Sequence, residues 1–156
     1  MTGNDNTSAA PEILAAIGGL TTKIGADDIT GVEWITTAAD KSAGFTLSVR
    51  VRWNEAVTVT GNPTLAVTNG NQGTGSGRGP HSLVYASGSG SNELVFSLAI
   101  AANNAATNAN DVLTVAAQTI ALAGGTIKDT ADGTTVSARA ISGAQGTACG
   151  SITVVA

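Results

Sequence analysis

A single cysteine, Cys149, excludes any disulfide within this 156-residue chain, the staple on which small secreted domains commonly rely. Thr147, Ala148 and Gly150 beside it offer neither base nor cation to activate the thiol, so it reads as a small packing residue. There is one histidine, His81, with no acidic neighbour in sequence, and the eleven carboxylates show no dyad or metal spacing, so catalysis is not expected. Only 12% of residues are charged, the net charge is −4 and the seven basic residues are scattered, which argues against nucleic acid because neutralising phosphates requires clustered Lys and Arg. The glycines of Gly73-Thr74-Gly75-Ser76-Gly77-Arg78-Gly79 lack the Gly-Lys-Ser/Thr ending of a phosphate loop and do not open a helix. No apolar run approaches the length of a membrane span, so no membrane is expected as a partner. Met1-Thr2-Gly3-Asn4-Asp5-Asn6 lacks the basic residues of a signal peptide, and Ile13 to Leu20 is short and broken by Gly18-Gly19. A chain that starts here is expected to be made and folded in the cytoplasm. Aromatics are 3% of the chain; Trp34, Trp53 and Tyr85 would make a sugar-stacking platform, but Trp53 falls on an apolar strand face and reads as core.

What is present is a domain-sized length, able to bury about 68 to 70% of its unfolded surface, and 42% apolar residues diluted by Ala, Gly, Thr, Ser and Asn. Small residues suit thin, closely packed sheets joined by many turns. The organising stretch is Phe45 to Thr60. Phe45, Leu47, Val49, Val51 and Trp53 alternate with Thr46, Ser48, Arg50 and Arg52, and a period of two gives a half-buried strand with one wet face. Val57 and Val59 repeat the alternation, and Thr60-Gly61-Asn62-Pro63 turns the chain toward Leu65 and Val67. Arg50 and Arg52 share the outer face. They either form a solvated surface or meet an acidic, carboxylate-bearing partner.

Residues 1–29 are expected to form an N-terminal arm, in which Ser8, Pro11 and Glu12 favour a helix start and Ile13, Leu14 and Ile17 share a face before Gly18-Gly19. Two helical turns are marginal by themselves, so Ile13, Leu14, Ile17, Leu20 and Ile24 must dock, either on this domain or on a neighbouring subunit. Residues 30–156 follow as one domain. A first strand is expected over Thr30 to Thr37, a turn at Asp40 to Gly44, and a long glycine-rich loop at Asn69 to Pro80. Leu83 to Tyr85 and Leu94 to Ile100 flank a hairpin at Ser87 to Asn92. Val112 to Val115 and Thr119 to Leu122 read as a strand pair, and Ile127, Val136, Ile141, Ile152 and Val154 close the core. Seven to nine short strands separated by turns predict an all-β sandwich.

The series Phe45-x-Leu47-x-Val49-x-Val51-x-Trp53-Asn54-Glu55-Ala56-Val57-x-Val59-Thr60-Gly61-x-Pro63-x-Leu65, then Tyr85-Ala86-Ser87-Gly88-Ser89-Gly90-x-Asn92-x-Leu94-x-Phe96, then Ile120-x-Leu122-x-Gly124-Gly125-x-Ile127-x-Asp129, resembles bacterial immunoglobulin-like repeats. Those repeats occur in tandem in surface adhesins and often carry calcium. The resemblance implies an immunoglobulin-like antiparallel β-sandwich over roughly residues 44 to 133. Calcium gains affinity with ligand charge; the loop from Ala101 to Asp111 has a single carboxylate, so Asp129 and Asp132 beside Gly133 are the better calcium candidates, with Asx-turn formation as the alternative role.

A single unit with an unsignalled N-terminus and an arm also resembles the domains that tailed bacteriophages place on their capsids and tails. That implies a non-enzymatic virion structural protein, a capsid decoration or cement protein on the virion surface. Its arm residues Ile13, Leu14, Ile17 and Leu20, with Arg50 and Arg52, would face the major capsid protein or other virion subunits. Two alternatives stand beside it. One is a calcium-dependent adhesin or carbohydrate-binding module at the bacterial surface, meeting host-surface glycans. The other is a self-assembling tail or filament subunit whose arm pairs with the open sheet edge of the next copy.

Overall fold

The computed structural model describes residues 27–70 and 80–156. The expected arm helix, with Ile13, Leu14, Ile17 and Leu20, and most of the glycine-rich loop lie outside the described residues. The chain is all-β and sandwich-like, as its alternating patterns predict. Its strands are β1 (Ile29–Trp34), β2 (Ala39–Asp40), β3 (Phe45–Thr60), β4 (Thr64–Gly70), β5 (His81–Ser87) and β6 (Ser91–Ile100), then β7 (Val112–Thr114), β8 (Gln118–Thr119), β9 (Thr126–Asp129), β10 (Ala140–Ile141) and β11 (Ser151–Val155). Among the described residues one helix, α1 (Gly143–Cys149), precedes β11.

β3 is the spine. It pairs antiparallel with β6 from Phe45↔Ile100 to Arg52↔Glu93 along one edge, while β1 takes the other edge from Val49 to Trp53. The sheet continues β6-β5-β4-β7-β11-β2, with β9 on β3, and curls so that its apolar faces share one core. Leu47, Val49, Val51, Trp53 and Val57 of β3 are buried with Leu94 and Phe96 of β6, Leu65 and Val67 of β4, Leu83 of β5 and Val154 of β11. Burial of each such side chain contributes about 1.5 to 3 kcal/mol against exposure. Trp53 is 1% exposed, and its indole N–H donates to the Ala138 carbonyl at 2.8 Å, so its one polar atom is satisfied inside the core. Tyr85 meets Phe96 edge to face, at a centroid distance of 6.2 Å.

Several details depart from the strict alternation. In β1 the register shifts between Ile29 and Gly31, so the buried residues are Ile29 and Val32, three apart rather than two. Such a bulge inserts one residue and re-aims those that follow. The outward residue Ser48 is nearly buried because the segment after β1 folds over it: the Ser48 N–H donates to Thr36 Oγ1 at 2.7 Å, and the Ser48 carbonyl accepts from the Ile35 N–H at 3.0 Å.

The expected pairing of the 112–115 and 119–122 strands does not occur. β7 lies between β4 and β11, and β8 pairs with β10. Val136, expected to close the core, is 59% exposed. The neighbouring segment is instead fastened through its backbone, with the Ala138 N–H donating to the Asp27 carbonyl and the Ile120 N–H to that of Arg139.

α1 is nucleated by a reciprocal cap, in which Ser142 Oγ accepts the Gln145 N–H and Gln145 Oε1 accepts the Ser142 N–H. The Gln145 amide also donates to the Ile29 carbonyl at 2.6 Å, which ties the helix to β1. Close approach here requires glycine, since a Cβ on Gly146 would stand 2.2 Å from the Val115 carbonyl oxygen. Gly125 is placed likewise: a Cβ there would stand 2.1 Å from the Thr60 carbonyl oxygen.

Trp53→Ala removes the largest buried side chain and is expected to destabilise the fold by about 3 to 5 kcal/mol. Urea unfolding checks this: the midpoint should fall while the slope stays near that of the native protein.

Candidate functional site

β1 and β9 occupy one edge of β3 in succession. β1 ends its pairing at Ile29↔Trp53, and β9 begins at Val57↔Asp129. Between them the β3 register against β6 shifts, from Arg52 to Val57. Residues 54–56 therefore sit where β3 exchanges one partner for the next. Three carboxylates meet there: Asp27, just ahead of β1; Glu55, from the irregular stretch of β3; and Asp129, the last residue of β9.

One ligand oxygen from each lies within 4.8 Å of the others. Asp27 is fully buried and Asp129 nearly so, while Glu55 is half-buried. Asp27 Oδ2 accepts the buried Ser137 hydroxyl at 2.7 Å, and Oδ1 has no hydrogen-bond partner. Asp129 Oδ1 accepts the Ala131 N–H at 2.6 Å, and its backbone is fixed by bonds to Thr135 and Gly133. Like charges at such spacing repel by about 3 to 4 kcal/mol per pair at an effective dielectric of about 20. An all-oxygen donor set of this kind suits a hard cation, and calcium or magnesium before zinc or copper.

The sequence singled out Asp129 and Asp132. The structure brings Asp129 into this cluster and leaves Asp132 outside it. Asp132 Oδ1 accepts the Thr134 and Thr135 N–H groups, each at 2.8 Å, and Oδ2 the Thr135 hydroxyl, which is Asx-turn chemistry. Asp27 and Glu55 were not anticipated. Their signals were the break in alternation at Asn54-Glu55-Ala56 and an acidic pair, Asp27-Asp28, just ahead of the first strand.

Arg50 and Arg52 lie on the outer face of β3 between Glu33 of β1 and Glu93 of β6. Arg52 Nη1 is 3.1 Å from Glu33 Oε1, Arg52 Nε is 2.7 Å from Glu93 Oε1, and Arg50 Nε is 3.4 Å from Glu93 Oε2. Neither Nε–H is aligned for a hydrogen bond, so these contacts are ionic rather than directional. The two cations are thus matched by two in-chain anions. Exposed pairs of this kind contribute about 0 to 1 kcal/mol each.

The aromatic residues do not share a platform. Trp53 is in the core, Trp34 is half-buried with its N–H directed at the Gly150 carbonyl 3.3 Å away, and Tyr85 packs on Phe96. Cys149 is half-buried; burial, with the nearby Glu33 charge, pushes its thiol up to about 11, away from reactivity. A groove of about 430 Å³ between Thr114–Ala117 and α1 is lined by small residues with no titratable side chain.

No protein-family model, curated protein or solved structure matches the chain.

His81, at the start of β5, is buried with Nε2 3.2 Å from Thr107 Oγ1. Burial lowers its pKa below the ordinary imidazole value, and the Asp111 charge opposes this in part. The unfolded chain therefore binds more protons than the native one in the window below about pH 6.5. The stability contributed by neutral His81 is complete above that value and is lost as pH falls toward the lower native pKa. Urea midpoints measured from pH 7.5 down to 5 should decline in the native chain, and decline less in His81→Asn.

Proposed function

We propose that this chain is a non-enzymatic structural protein whose sandwich stands on a larger assembly, and specifically a decoration or cement protein on the capsid of a tailed bacteriophage. The observation that supports this most is that residues 29 to 154 supply a continuous core of twenty buried apolar side chains. The apolar set Ile13, Leu14, Ile17 and Leu20 precedes that core in the chain, as an attachment segment would. Docking that segment across joints between shell subunits stabilises the shell by mass action, because the ligand binds only the assembled state. On this reading Arg50 and Arg52 first serve the sheet, through Glu33 and Glu93, and meet shell carboxylates only if that ladder opens.

The carboxylate cluster favours a second reading, a calcium-dependent adhesin module. One member of that cluster, Asp27, stands just ahead of β1.

Cosedimentation separates them. The full chain should pellet with assembled tailed-phage shells, with or without a chelator, and Ile13→Asp/Ile17→Asp should reduce pelleting at least about tenfold, the effect of losing 1.4 kcal/mol of binding. A chain that stays in the supernatant, but changes its sedimentation coefficient with calcium, favours the adhesin reading and rejects the virion one.

A further inference from the structure

We propose that Asp27, Glu55 and Asp129 form a binding site for one divalent cation of the calcium class, which clamps the start of β1 to β3 and to the end of β9. Two oxygens that each stand about 2.3 to 2.6 Å from one calcium ion are at most about 4.6 to 5.2 Å apart. The carboxylate oxygens here, all within 4.8 Å of one another, meet that condition without rearrangement of the strands.

A second observation is independent of the acid count. Asp27 is fully buried, and the fold supplies a donor, Ser137, to only one of its oxygens, leaving Oδ1 with none. Native structures rarely leave a buried carboxylate oxygen without a donor or a cation. The Ser137 hydroxyl holds the carboxylate by Oδ2, and the Ala131 N–H holds Asp129 by Oδ1, so both side chains are oriented from behind as metal ligands commonly are. Glu55 is half-buried and leaves a side of the site open to water, which would complete the six to eight oxygens that calcium takes. Three carboxylates favour calcium over magnesium, which retains most of its water and binds through one or two.

The site stands apart from the docking reading, since calcium binding can be present whether or not the chain pellets with shells. Its test is calorimetric titration of the full chain, freed of metal with EDTA and dialysed, against calcium chloride and separately against magnesium chloride, together with thermal unfolding in each. One calcium per chain is expected, with affinity in the micromolar to millimolar range, on the order of 10⁻⁶ to 10⁻³ M. Calcium at about 100 times its dissociation constant should raise the folded-to-unfolded ratio about 100-fold. Glu55→Gln, at a half-exposed position that should fold normally, is expected to weaken calcium binding about tenfold or more, as is the near-isosteric Asp27→Asn. Asp28→Asn removes the same formal charge from an exposed neighbour outside the cluster and should change affinity less than about twofold. The proposal is overturned by the absence of calcium heat and of any midpoint change up to about 10 mM, beyond the weakest calcium modules. It is equally overturned by an undiminished response in Glu55→Gln, by equal losses in Asp28→Asn and Glu55→Gln, or by no preference for calcium over magnesium.

Discussion

The antiparallel ladder between β3 and β6 is the constraint on which the rest of the structure depends. Eight consecutive residues of β3, Phe45 to Arg52, pair with Ile100 back to Glu93. Because successive side chains point to opposite faces, a slip of one residue would carry Leu47, Val49, Val51 and Trp53 out of the core and drive Arg50 and Arg52 into it. Burial of four large apolar side chains and exclusion of two charges therefore fix a single register. The other strands of this sheet take their places from that register, either directly, as β1 and β9 do along the opposite edge, or through β6, as β5 and β4 do, while β8 and β10 pair apart from it.

The sixteen-residue β3 does not keep one partner along this edge, and the exchange of β1 for β9 is what brings the acidic groups together. Where regular pairing lapses, at residues 54–56, Asp27, Glu55 and Asp129 come together. The two charged groupings on β3 differ in kind. Arg50, Arg52, Glu33 and Glu93 sit on the outer face, carry equal numbers of each sign and are 35 to 48% exposed, so water and salt screen them and little free energy rides on any one pair. The acidic trio is of one sign and two of its members are buried, so its repulsion is poorly screened.

The sequence displayed the parts of the fold that repeat every two residues and concealed those that depend on distant partners. β3, the β5–β6 hairpin and the Asp40 turn, where Asp40 Oδ1 accepts the Ser42 and Ala43 N–H groups, follow from local pattern. The two-residue strand β2 was not legible, because its pairing with β11 is parallel and comes from more than a hundred residues away. Helix α1, rich in Gly, Ala and Thr, has weak propensity and depends on the Ser142–Gln145 cap and on Gly146 fitting against Val115. Of the site, Asp129 was visible as a carboxylate in a turn. Asp27 and Glu55 were hidden because their meaning depends on the bulge and partner exchange, which have no signature beyond a lapse in alternation.

The same junction fixes where the described sandwich begins. A division at residue 29 assigns Asp27 and Asp28 to the arm, yet both are bonded into the domain. The Asp27 carbonyl accepts the Ala138 N–H, its carboxylate accepts the Ser137 hydroxyl, and the Asp28 N–H donates to Asn54 Oδ1 while its carbonyl accepts the Asn54 N–H. Trp53, the largest core residue, donates to that same Ala138, so the core, the 137–138 segment and the start of the sandwich are joined at one place.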